Sequence, residues 1–406
     1  MKFDMKNSVT RQEALSLMRE HWTFSREQEL VSLKDCLGRV TAEDIFSHNT
    51  LPVFRASCFD GVAVRSTDFQ NGMPDTSAWV KGRDFVRADT GDDFPDAFDT
   101  VIAIEDVILE GEGLRFADDF VFDSKEETVD PAGTIVRSGA LLVPAHTRIT
   151  PELMASLAMG GVTEIPVIRQ MKVAFIPTGS ELIPVGQKPE RGQNVETNGL
   201  MLSGLLSQRG AQVICLPIVR DDVKELEAAL DQALSMADMV LINGGSSRGE
   251  EDYNSHLLKR RSSFFRHGVR AVPGRPVAFS IIDEKPVINV PGPVAAAYLA
   301  EHWCLSALVC HYYGLPAPQY PVVSAVLDQP VKKRPGFELI ARVALRYTAE
   351  QGYIATPVSW GDDGIPGFLL ETDGFLNVPA DTNALSAGDT VEVELLKTPE
   401  LIKGRS

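Results

Sequence analysis

The chain has 406 residues, 44% of them hydrophobic, with 39 Lys and Arg against 56 Asp and Glu, a formal net charge of −17. Because a domain takes roughly 100–200 residues, this length predicts two to four domains. A uniformly acidic protein repels nucleic acid and anionic lipid, so the charge argues against both as partners.

The cysteine pattern and the hydropathy pattern indicate a compartment. The 5 cysteines are odd in number and scattered, without a C-x-x-C pair. The first residues lack the long apolar stretch of a signal peptide. The most apolar helical run, about 294–309, is interrupted by Glu301 and His302 and is too short to span a bilayer. We therefore expect a protein of the reducing cytoplasm without a structural zinc site.

The first part of the chain reads as a helical segment followed by a β-rich module. Thr10-Arg-Gln-Glu13 has the spacing of a capping box and predicts a helix. Short strand-like runs separated by Gly and Asp follow from about residue 51 to about residue 131. Thr150 and Pro151 then predict the start of a second helix, which Gly160-Gly161 ends. The predicted strands of the β-rich module are 62–64, 79–80, 100–104 and 114–116.

The region from about 171 to 315 alternates apolar strands with helices. Asn198 is expected to cap one helix, and Asp221 or Asp222 to cap the next. This alternation predicts a parallel sheet with helices on both faces, and such sheets bind ligands beyond the carboxyl ends of their strands. The predicted strands are 172–176, 212–219 and 239–242.

The tail from about residue 320 returns to short strand-like runs, at 337–343, 353–356, 374–378 and 390–394. Their length and spacing predict a small barrel or sandwich. The fold class is therefore multidomain α/β plus β, with a central parallel-sheet domain. The predicted domains are residues 1–50 with 131–170 (helical), 51–130 (β-rich), 171–317 (α/β) and 318–406 (barrel).

Three loops follow predicted strands of the central domain. They are Thr178-Gly-Ser-Glu181, Arg220-Asp-Asp222 and the glycine-rich run from Gly244 to Tyr253. Glycines let backbone N–H groups approach a phosphate closely, and hydroxyl groups add donors. Each loop alone is more typical of a plain turn or helix cap. Three of them after three strands of one sheet favour a ligand site.

Carboxylates in these loops suggest a metal ion. Glu181, Asp221 and Asp252 offer the hard oxygen ligands that a hydrated Mg²⁺ takes from proteins. Two further segments are ambiguous by themselves. Asp60-Gly61 precedes a strand and is typical of a hairpin turn. The Pro-Gly turns near Arg275 and Pro291 are typical of rigid turns.

Taken in order from end to end, these segments resemble the molybdopterin molybdenumtransferases of the MoeA type, which are related to the gephyrin E domain. Phe59-Asp-Gly-Val-Ala-Val64 is similar to the family's M-D-G-Y-A-V, and Asp89-Thr-Gly91 to its M-T-G-A. Thr178-Gly-Ser-Glu-Leu182 resembles T-G-D-E-L, and Val195-Glu-Thr-Asn198 resembles D-x-N. Asn243-Gly-Gly-Ser-Ser-Arg-Gly-Glu-Glu-Asp-Tyr253 resembles T-G-G-V-S-V-G-D-Y-D-Y, and Gly388-Asp-Thr-Val-Glu-Val393 resembles the closing strand of the family's barrel.

The resemblance implies an elongated homodimer with an active site between subunits, in which one chain's α/β domain holds the pterin and the other chain supplies Asp60 and Thr90. The implied reaction is the Mg²⁺-dependent insertion of molybdate into adenylylated molybdopterin with release of AMP. Molybdopterin adenylyltransferase and molybdoenzymes are the implied partners. Asp60, Thr90, Glu181 and Asp252 are implied as catalytic, and Glu181, Asp221 and Asp252 as metal ligands. The implied cofactor-binding residues are Thr178, Gly179, Asp221, Gly244, Gly245, Ser246, Ser247, Gly249, Arg275 and Pro291.

The sequence departs from the family pattern on the ligand side. The family's K-P-G-K-P reads Val272-Pro-Gly-Arg-Pro276, and its P-G-N-P-V-S reads Pro291-Gly-Pro-Val-Ala-Ala296. Arg248 stands where the glycine-rich motif has Val. These changes leave open a second hypothesis, a pterin-binding scaffold or cofactor-delivery protein that kept the fold without turnover. A third, an unrelated nucleotide-binding α/β protein, explains the central domain but not the flanking modules.

Overall fold

A computed structural model describes residues 8–123, 127–244, 253–359 and 371–402. The chain forms two compact units, Gln28–Ile168 and a second one of Met1–Glu27 with Arg169–Ser406. The four-part division expected from the sequence stays a prediction, since the observed division is coarser. The α-helices of the described ranges are α1 (Arg11–His21), α2 (Pro151–Met159), α3 (Asn198–Gln208), α4 (Val223–Met236), α5 (Tyr253–Arg261), α6 (Val294–Ala300) and α7 (Ser306–Tyr312).

The unit Gln28–Ile168 is built from short antiparallel strands and helix α2. Its strands are β1 (Gln28–Ser32), β2 (Ile45–Phe46), β3 (Ala56–Ser57), β4 (Gly61–Val64), β5 (Val86–Ala88), β6 (Thr100–Ala103), β7 (Val107–Glu110), β8 (Gly113–Phe116), β9 (Val129–Asp130), β10 (Leu141–Val143) and β11 (Glu164–Ile168). The strand β4 pairs with both β5 and β6, and the other strands form two-stranded ladders. The predicted β-rich texture is therefore confirmed.

Two details of this unit differ from the sequence-based expectation. Residues 79–80 are not a strand, because the Trp79 N–H bonds the carbonyl of Thr76 in a turn. The Trp79 ring instead packs edge-on against Phe116 in an aromatic core cluster. The predicted strand 100–104 ends one residue early, since Ile104 starts a 3₁₀ turn. Helix α2 begins as predicted, with Thr150 capping Leu153 N and Pro151 at the first position.

The central sheet of the second unit has the strand order β15-β12-β16-β20-β19-β17. The strands of this part of the chain are β12 (Lys172–Pro177), β13 (Leu182–Ile183), β14 (Asn194–Val195), β15 (Gln212–Cys215), β16 (Met239–Asn243), β17 (Phe264–His267), β18 (Ala271–Val272), β19 (Ala278–Ile282) and β20 (Lys285–Val290). Helix α4 buries its predicted leucines, Leu226, Leu230 and Leu234, in the core of this sheet.

The predicted parallel sheet is confirmed for its predicted strands, and antiparallel strands extend it at one edge. The strands β15, β12, β16 and β20 are parallel, whereas β19 and β17 are antiparallel to their neighbours. The reason is the two-residue connection between β19 and β20. Asp283 and Glu284 both have positive φ, 51° and 62°, which is the backbone of a tight hairpin turn. The sheet is therefore mixed, and β15, β12, β16 and β20 form its parallel part.

Two predicted boundaries also shift. The strand β15 stops at Cys215 instead of reaching residue 219, because Pro217 has no N–H to continue the ladder. Thr197, not Asn198, is the N-cap residue of α3, and Asn198 is its first helical residue. Between the two candidates for the cap of α4, the structure selects Asp222, whose side chain accepts from Lys224 N and Glu225 N. Asp221 is thereby left for another role.

The chain ends in a closed five-stranded barrel, as the sequence predicted. Its strands are β21 (Val322–Leu327), β22 (Glu338–Thr348), β23 (Gly352–Val358), β24 (Gly374–Val378) and β25 (Thr390–Leu395). The pairing of β22 with β24 closes the ring. The strand β18 adds to the edge of β22, so the segment before Pro273 is tied to the barrel. Within the described residues, no helix is both long enough and apolar enough to cross a membrane.

Candidate functional site

The carboxyl ends of β15, β12, β16 and β20 lie side by side, because these strands are parallel neighbours. The segments that follow them are 219–221, 178–181, 243–244 and 291–292 in the same order. The sequence predicted ligand loops after the first three of these strands and a rigid turn after the fourth. The structure therefore gathers these predicted segments at one edge of the sheet, where parallel sheets bind ligands.

The loop after β12 is fixed by main-chain bonds to both neighbouring strand ends. Thr178 N and Oγ1 both donate to the Asn243 carbonyl, at 2.8 and 3.0 Å. Gly179 N donates to the Val219 carbonyl at 3.0 Å. The loop then carries the Glu181 carboxylate back over Gly179, where an added Cβ would lie 2.7 Å from Glu181 Oε2. The φ of Gly179 is +151°, which favours glycine, and Glu181 itself is exposed.

Asp221 and Ser180 hold each other by a reciprocal pair of hydrogen bonds. Ser180 N donates to Asp221 Oδ2 at 2.9 Å, and Asp221 N donates to Ser180 Oγ at 3.2 Å. Both residues are exposed, so the carboxylate faces solvent while its orientation is set by the loop after β12. The two carboxylates predicted to face a ligand thus come from adjoining loops.

Gly244 begins the glycine-rich loop and is a required glycine. Its φ is +109°, a backbone conformation that side chains rarely adopt, and an added Cβ would lie 2.4 Å from the Thr178 carbonyl oxygen. The rest of that loop, with Gly245, Ser246, Ser247, Arg248, Gly249 and Asp252, lies outside the described residues.

The metal site stays a prediction, because the structure describes only two of its three predicted ligands. In the described ranges, no group of three or more His, Cys, Asp or Glu side chains is arranged to hold a metal ion. Glu181 and Asp221 fall in those ranges, and Asp252 does not. Their chemistry, exposed carboxylates at loop tips, fits a hydrated Mg²⁺, which takes few protein ligands and completes its shell with water or substrate oxygens.

The unit Gln28–Ile168 brings together Asp60 and Thr90, which are 30 residues apart in the chain. Asp60 Oδ1 accepts from both Thr90 N and Thr90 Oγ1, each at 2.8 Å. These two bonds, with a smaller contribution from the charge of Arg87, lower the pKa of Asp60. The side chain is exposed, so the structure presents a fully ionised carboxylate with a fixed orientation.

The Asp60-Gly61 turn is not a plain hairpin. The preceding strand β3 pairs with β9, whereas β4 pairs with β5 and β6, so the turn joins strands of different ladders. At Gly61 a Cβ would lie 2.2 Å from the Ile102 carbonyl oxygen. The close approach of β6 therefore requires glycine directly after Asp60.

The two remaining predicted residues, Arg275 and Pro291, follow two different strands. Arg275 is exposed in the turn after β18, and its carbonyl accepts from Val269 N at 3.0 Å. Pro291 is buried at the end of β20, and its carbonyl accepts from the side chain of Asn243 at 2.9 Å.

A set of buried asparagines lies beneath the loops, of which sequence reasoning named only Asn198 and Asn243 and assigned neither to holding the loops. They are Asn198, Asn243, Asn254 and Asn289, each exposed by 4% or less. Asn243 and Asn289 sit near the carboxyl ends of apolar strands, where a lone polar residue is unusual. That position was the signal which could have identified them.

A cleft of about 250 Å³ opens beside these loops at the ends of β12 and β15. Pro177, Pro184 and Leu216 are among the apolar side chains that line it, and Glu196 contributes the one carboxylate of its wall. An apolar cleft with a single acidic group suits a flat, partly polar ring.

Comparison with protein families matches three consecutive segments of the chain. Residues 9–161 match the "MoeA N-terminal region (domain I and II)", residues 174–309 the "Probable molybdopterin binding domain" and residues 324–396 the "MoeA C-terminal region (domain IV)". The central match covers the sheet and the loops described above.

Full-length relatives agree with these matches. The molybdopterin molybdenumtransferase of Haemophilus influenzae is 28% identical over 95% of this chain and 98% of its own length, and that of Bacillus subtilis is 26% identical over 93% and 92%. Two crystal structures of the MoeA protein from Pyrococcus horikoshii align with TM-scores of 0.78 and 0.75 at 26% and 25% identity. They cover 96% of this chain and 99% and 100% of theirs. The chain belongs to the MoeA family.

Proposed function

We propose that this protein is a molybdopterin molybdenumtransferase, which inserts molybdate into adenylylated molybdopterin and releases AMP. The observation that carries the proposal is the meeting of two predicted ligand loops, Gly244 at the start of the third, and a Pro-Gly turn at one sheet edge. There the Asp221 carboxylate is oriented by Ser180 and the backbone of Gly244 is left without a side chain. This edge offers exposed carboxylates, one of them with a fixed orientation, and an adjoining apolar cleft, both of which suit a phosphorylated pterin with its metal ion.

The chemistry divides between positioning and charge control. AMP release requires an oxygen nucleophile to attack the adenylate phosphorus while the bond to the pterin's phosphate oxygen breaks. Enzymes promote such phosphoryl transfer mainly by holding the groups in line and compensating their charge. Gly244 lets the start of the glycine-rich loop pass close to the Thr178 carbonyl, and Thr178 and Gly179 fix the neighbouring loop. The cleft near Pro177 would receive the body of the pterin.

Glu181 and Asp221 are the described residues that would hold Mg²⁺, with Asp252 as the third predicted ligand. When bound, the ion would reduce the negative charge on the phosphate oxygens. Asp60 stays ionised because Thr90 donates two hydrogen bonds to it. It would act as a fixed carboxylate toward the dithiolene and molybdate side of the substrate. Molybdate and tungstate have nearly the same size and charge, so either oxyanion suits this account.

We also propose that the chain acts as a homodimer in the cytoplasm. The 5 cysteines are all free, which is typical of a reducing compartment. Phe46 and Leu141 are cross-strand neighbours of β2 and β10 that are 48% and 52% exposed, an apolar surface suited to a second subunit. Molybdopterin adenylyltransferase would supply the substrate, and molybdoenzymes would receive the product.

The direct test of the reaction supplies purified protein with adenylylated molybdopterin, Mg²⁺ and molybdate and follows AMP. We expect AMP release that depends on molybdate, and much slower release by Asp60→Asn and Asp221→Asn. Asp222→Asn is the matched control, since Asp222 caps α4 and Asp221 does not. Tight pterin binding without AMP release would instead support the scaffold hypothesis, for which the named relatives give no support.

Mixing two inactive chains tests the dimer. Asp60→Asn and Asp221→Asn chains each keep one of the two groups, so random mixing should restore activity to about a quarter of the unaltered level if the groups act across subunits. No recovery, with dimers present by sedimentation, would place both groups of a site in the same chain.

A further inference from the structure

The turn after β20 is held only in part by backbone bonds. It contains Pro291 and Pro293, and neither has an N–H to donate. The Val290 carbonyl accepts from Gly244 N at 3.2 Å, whereas the carbonyls of Pro291 and Gly292 take their donors from side chains elsewhere in the protein. The turn adjoins Gly244, because an added Cβ on Gly292 would lie 3.8 Å from the Gly244 Cα. Its shape thus bears on the start of the glycine-rich loop.

Buried asparagines supply those donors. Asn243 Nδ2 donates to the Pro291 carbonyl at 2.9 Å and lies 3.4 Å from the Val290 carbonyl. Asn198 Nδ2 donates to the Gly292 carbonyl at 2.7 Å and to Asn243 Oδ1 at 2.9 Å. Two carboxamides, joined to each other, therefore hold the carbonyls of Pro291 and Gly292, and Asn243 adds a longer contact to the Val290 carbonyl, which Gly244 N already bonds.

A third carboxamide joins this network to the glycine-rich loop. Asn254 Nδ2 donates to the Gly244 carbonyl at 2.9 Å and lies 3.4 Å from Thr178 Oγ1. Thr178 in turn bonds the Asn243 carbonyl. Asn198, Asn243 and Asn254 are exposed by only 4%, 3% and 4%, so these bonds form away from water, where an unpaired amide is costly. The network links the ends of β12, β16 and β20.

Asn243 and the turn after β20 both differ from the motifs that the chain resembles. The family's P-G-N-P turn carries an Asn where this chain has Pro293, and its T-G-G motif carries a Thr where this chain has Asn243. A Thr hydroxyl has a single donor on a shorter side chain, so it does not replace the two amide N–H groups. The chain thus has no carboxamide within the turn and has one on the neighbouring strand.

We propose that Asn243 is a positioning residue that compensates for the missing Asn of the turn. From the end of β16 it supplies the carboxamide that holds the 290–292 turn in the conformation that receives the pterin phosphate, together with Asn198. The inference rests on the proposed function for the identity of the ligand. Asn243 in this role would explain how a chain with an altered turn still binds a ligand at this edge of the sheet.

The test is a residue exchange between the two positions. Asn243→Thr should weaken binding of adenylylated molybdopterin about tenfold, because a buried donor pair that orients the site is lost. Pro293→Asn added to Asn243→Thr should return the affinity to within about threefold of the unaltered protein, since coupled neighbours are not additive. Asn is also a favoured residue at an N-cap, the position that Pro293 holds in α6, so the exchange is compatible with that helix.

Controls separate positioning from general stability. Ser280→Ala removes a buried hydrogen bond to the Val287 carbonyl in the same sheet. It should lower the unfolding temperature and leave the pterin affinity unchanged. If Asn243→Thr does not fold, Asn198→Ser removes the bond to Gly292 and should weaken binding about threefold. With saturating substrate, kcat of these variants should change less than KM, as expected when binding geometry is lost.

Hydrogen exchange gives a readout that needs no ligand. The amide of Gly244, which donates to the Val290 carbonyl at 3.2 Å, should exchange faster in Asn243→Thr and return toward its original rate in the double variant. Unchanged exchange and affinity in Asn243→Thr, or a loss that Pro293→Asn does not recover, would overturn the proposal. A failure of the unaltered protein to bind the pterin would contradict the proposed function. The hydrogen-exchange rates alone would then decide whether Asn243 positions the turn.

Discussion

Replacing Gly244 with Ala tests the close approach between the loops after β12 and β16. The added Cβ would lie 2.4 Å from the Thr178 carbonyl oxygen, nearer than side-chain carbons approach backbone oxygens, and φ is +109°. A non-glycine residue in such a sparsely populated conformation costs about 1–3 kcal/mol. Forcing extra volume into a packed site costs about 1–3 kcal/mol more. We therefore expect Gly244→Ala to lose roughly 2–6 kcal/mol, the sum of the two costs.

Gly186→Ala is the matched control. Gly186 has a similar φ of +91°, but nothing lies within 4 Å of an added Cβ, so it pays only the conformational cost. The assay is thermal unfolding, in which about 1 kcal/mol corresponds to roughly 2–4 °C for a domain of 150–250 residues. Gly244→Ala should unfold several degrees below Gly186→Ala and bind pterin weakly. Equal unfolding temperatures for the two variants would refute the collision.

Three further predictions follow from single contacts. Thr90→Val removes one of the two donors to Asp60, so the lowered pKa of Asp60 should rise toward its ordinary value. The ionised Asp60 stabilises the fold above the ordinary carboxyl pKa, and this stabilisation is lost as pH falls through the pKa of the folded state, so in Thr90→Val it should be lost at a higher pH. An NMR titration of that carboxyl that shows no rise in pKa would contradict the role of Thr90. Asp222→Ala removes the α4 cap, so it should lower the free energy of unfolding in urea by about 0.5–2 kcal/mol and keep AMP release. Asp221→Ala should keep the stability and lose AMP release. Loss of AMP release by Asp222→Ala would contradict this assignment of the two residues. Asp238→Asn weakens the paired bonds from Arg169, at 2.7 and 3.2 Å, and the bond from Lys172 N, so we expect a loss of about 1–3 kcal/mol; an unchanged urea midpoint would show that this ion pair contributes little.

Local patterns identified most elements of the fold because their physical causes are local. The capping box at Thr10 and the Thr150-Pro151 start each place a helix end through side-chain bonds to nearby N–H groups. The apolar run 172–176 became the strand β12 because a strand buried on both faces needs continuous apolar residues. The barrel strands were recognised for a similar reason, since turn residues separate them.

What the sequence did not predict depends on backbone conformation or on contacts between loops. The direction of β19 depends on the positive φ of Asp283 and Glu284, which neither residue type demands. The choice between Asp221 and Asp222 as the cap of α4 depends on Ser180, a residue of another loop. Period and composition carry no information of this kind.

The candidate site was predicted unevenly for the same reason. Parallel strands bring their carboxyl ends together, so loops found one at a time could be placed at a common edge. The pairing of Asp60 with Thr90 came only from the family resemblance, since no spacing rule joins residues 30 apart. The asparagine network was overlooked because Asn254 and Asn289 have meaning only once the strand order is known. Gly245, Ser246, Ser247, Gly249 and Asp252 stay predictions, as they lie outside the described residues.

The measurement that tests the central claim most directly counts AMP released and molybdenum bound to the pterin in the same reaction, with purified protein, adenylylated molybdopterin and Mg²⁺. We predict that both products form together, in equal amounts, only when molybdate is present, and that Asp60→Asn suppresses both. Adenylylated molybdopterin that stays bound and intact in the presence of molybdate would contradict the assignment of this chain as a molybdenumtransferase.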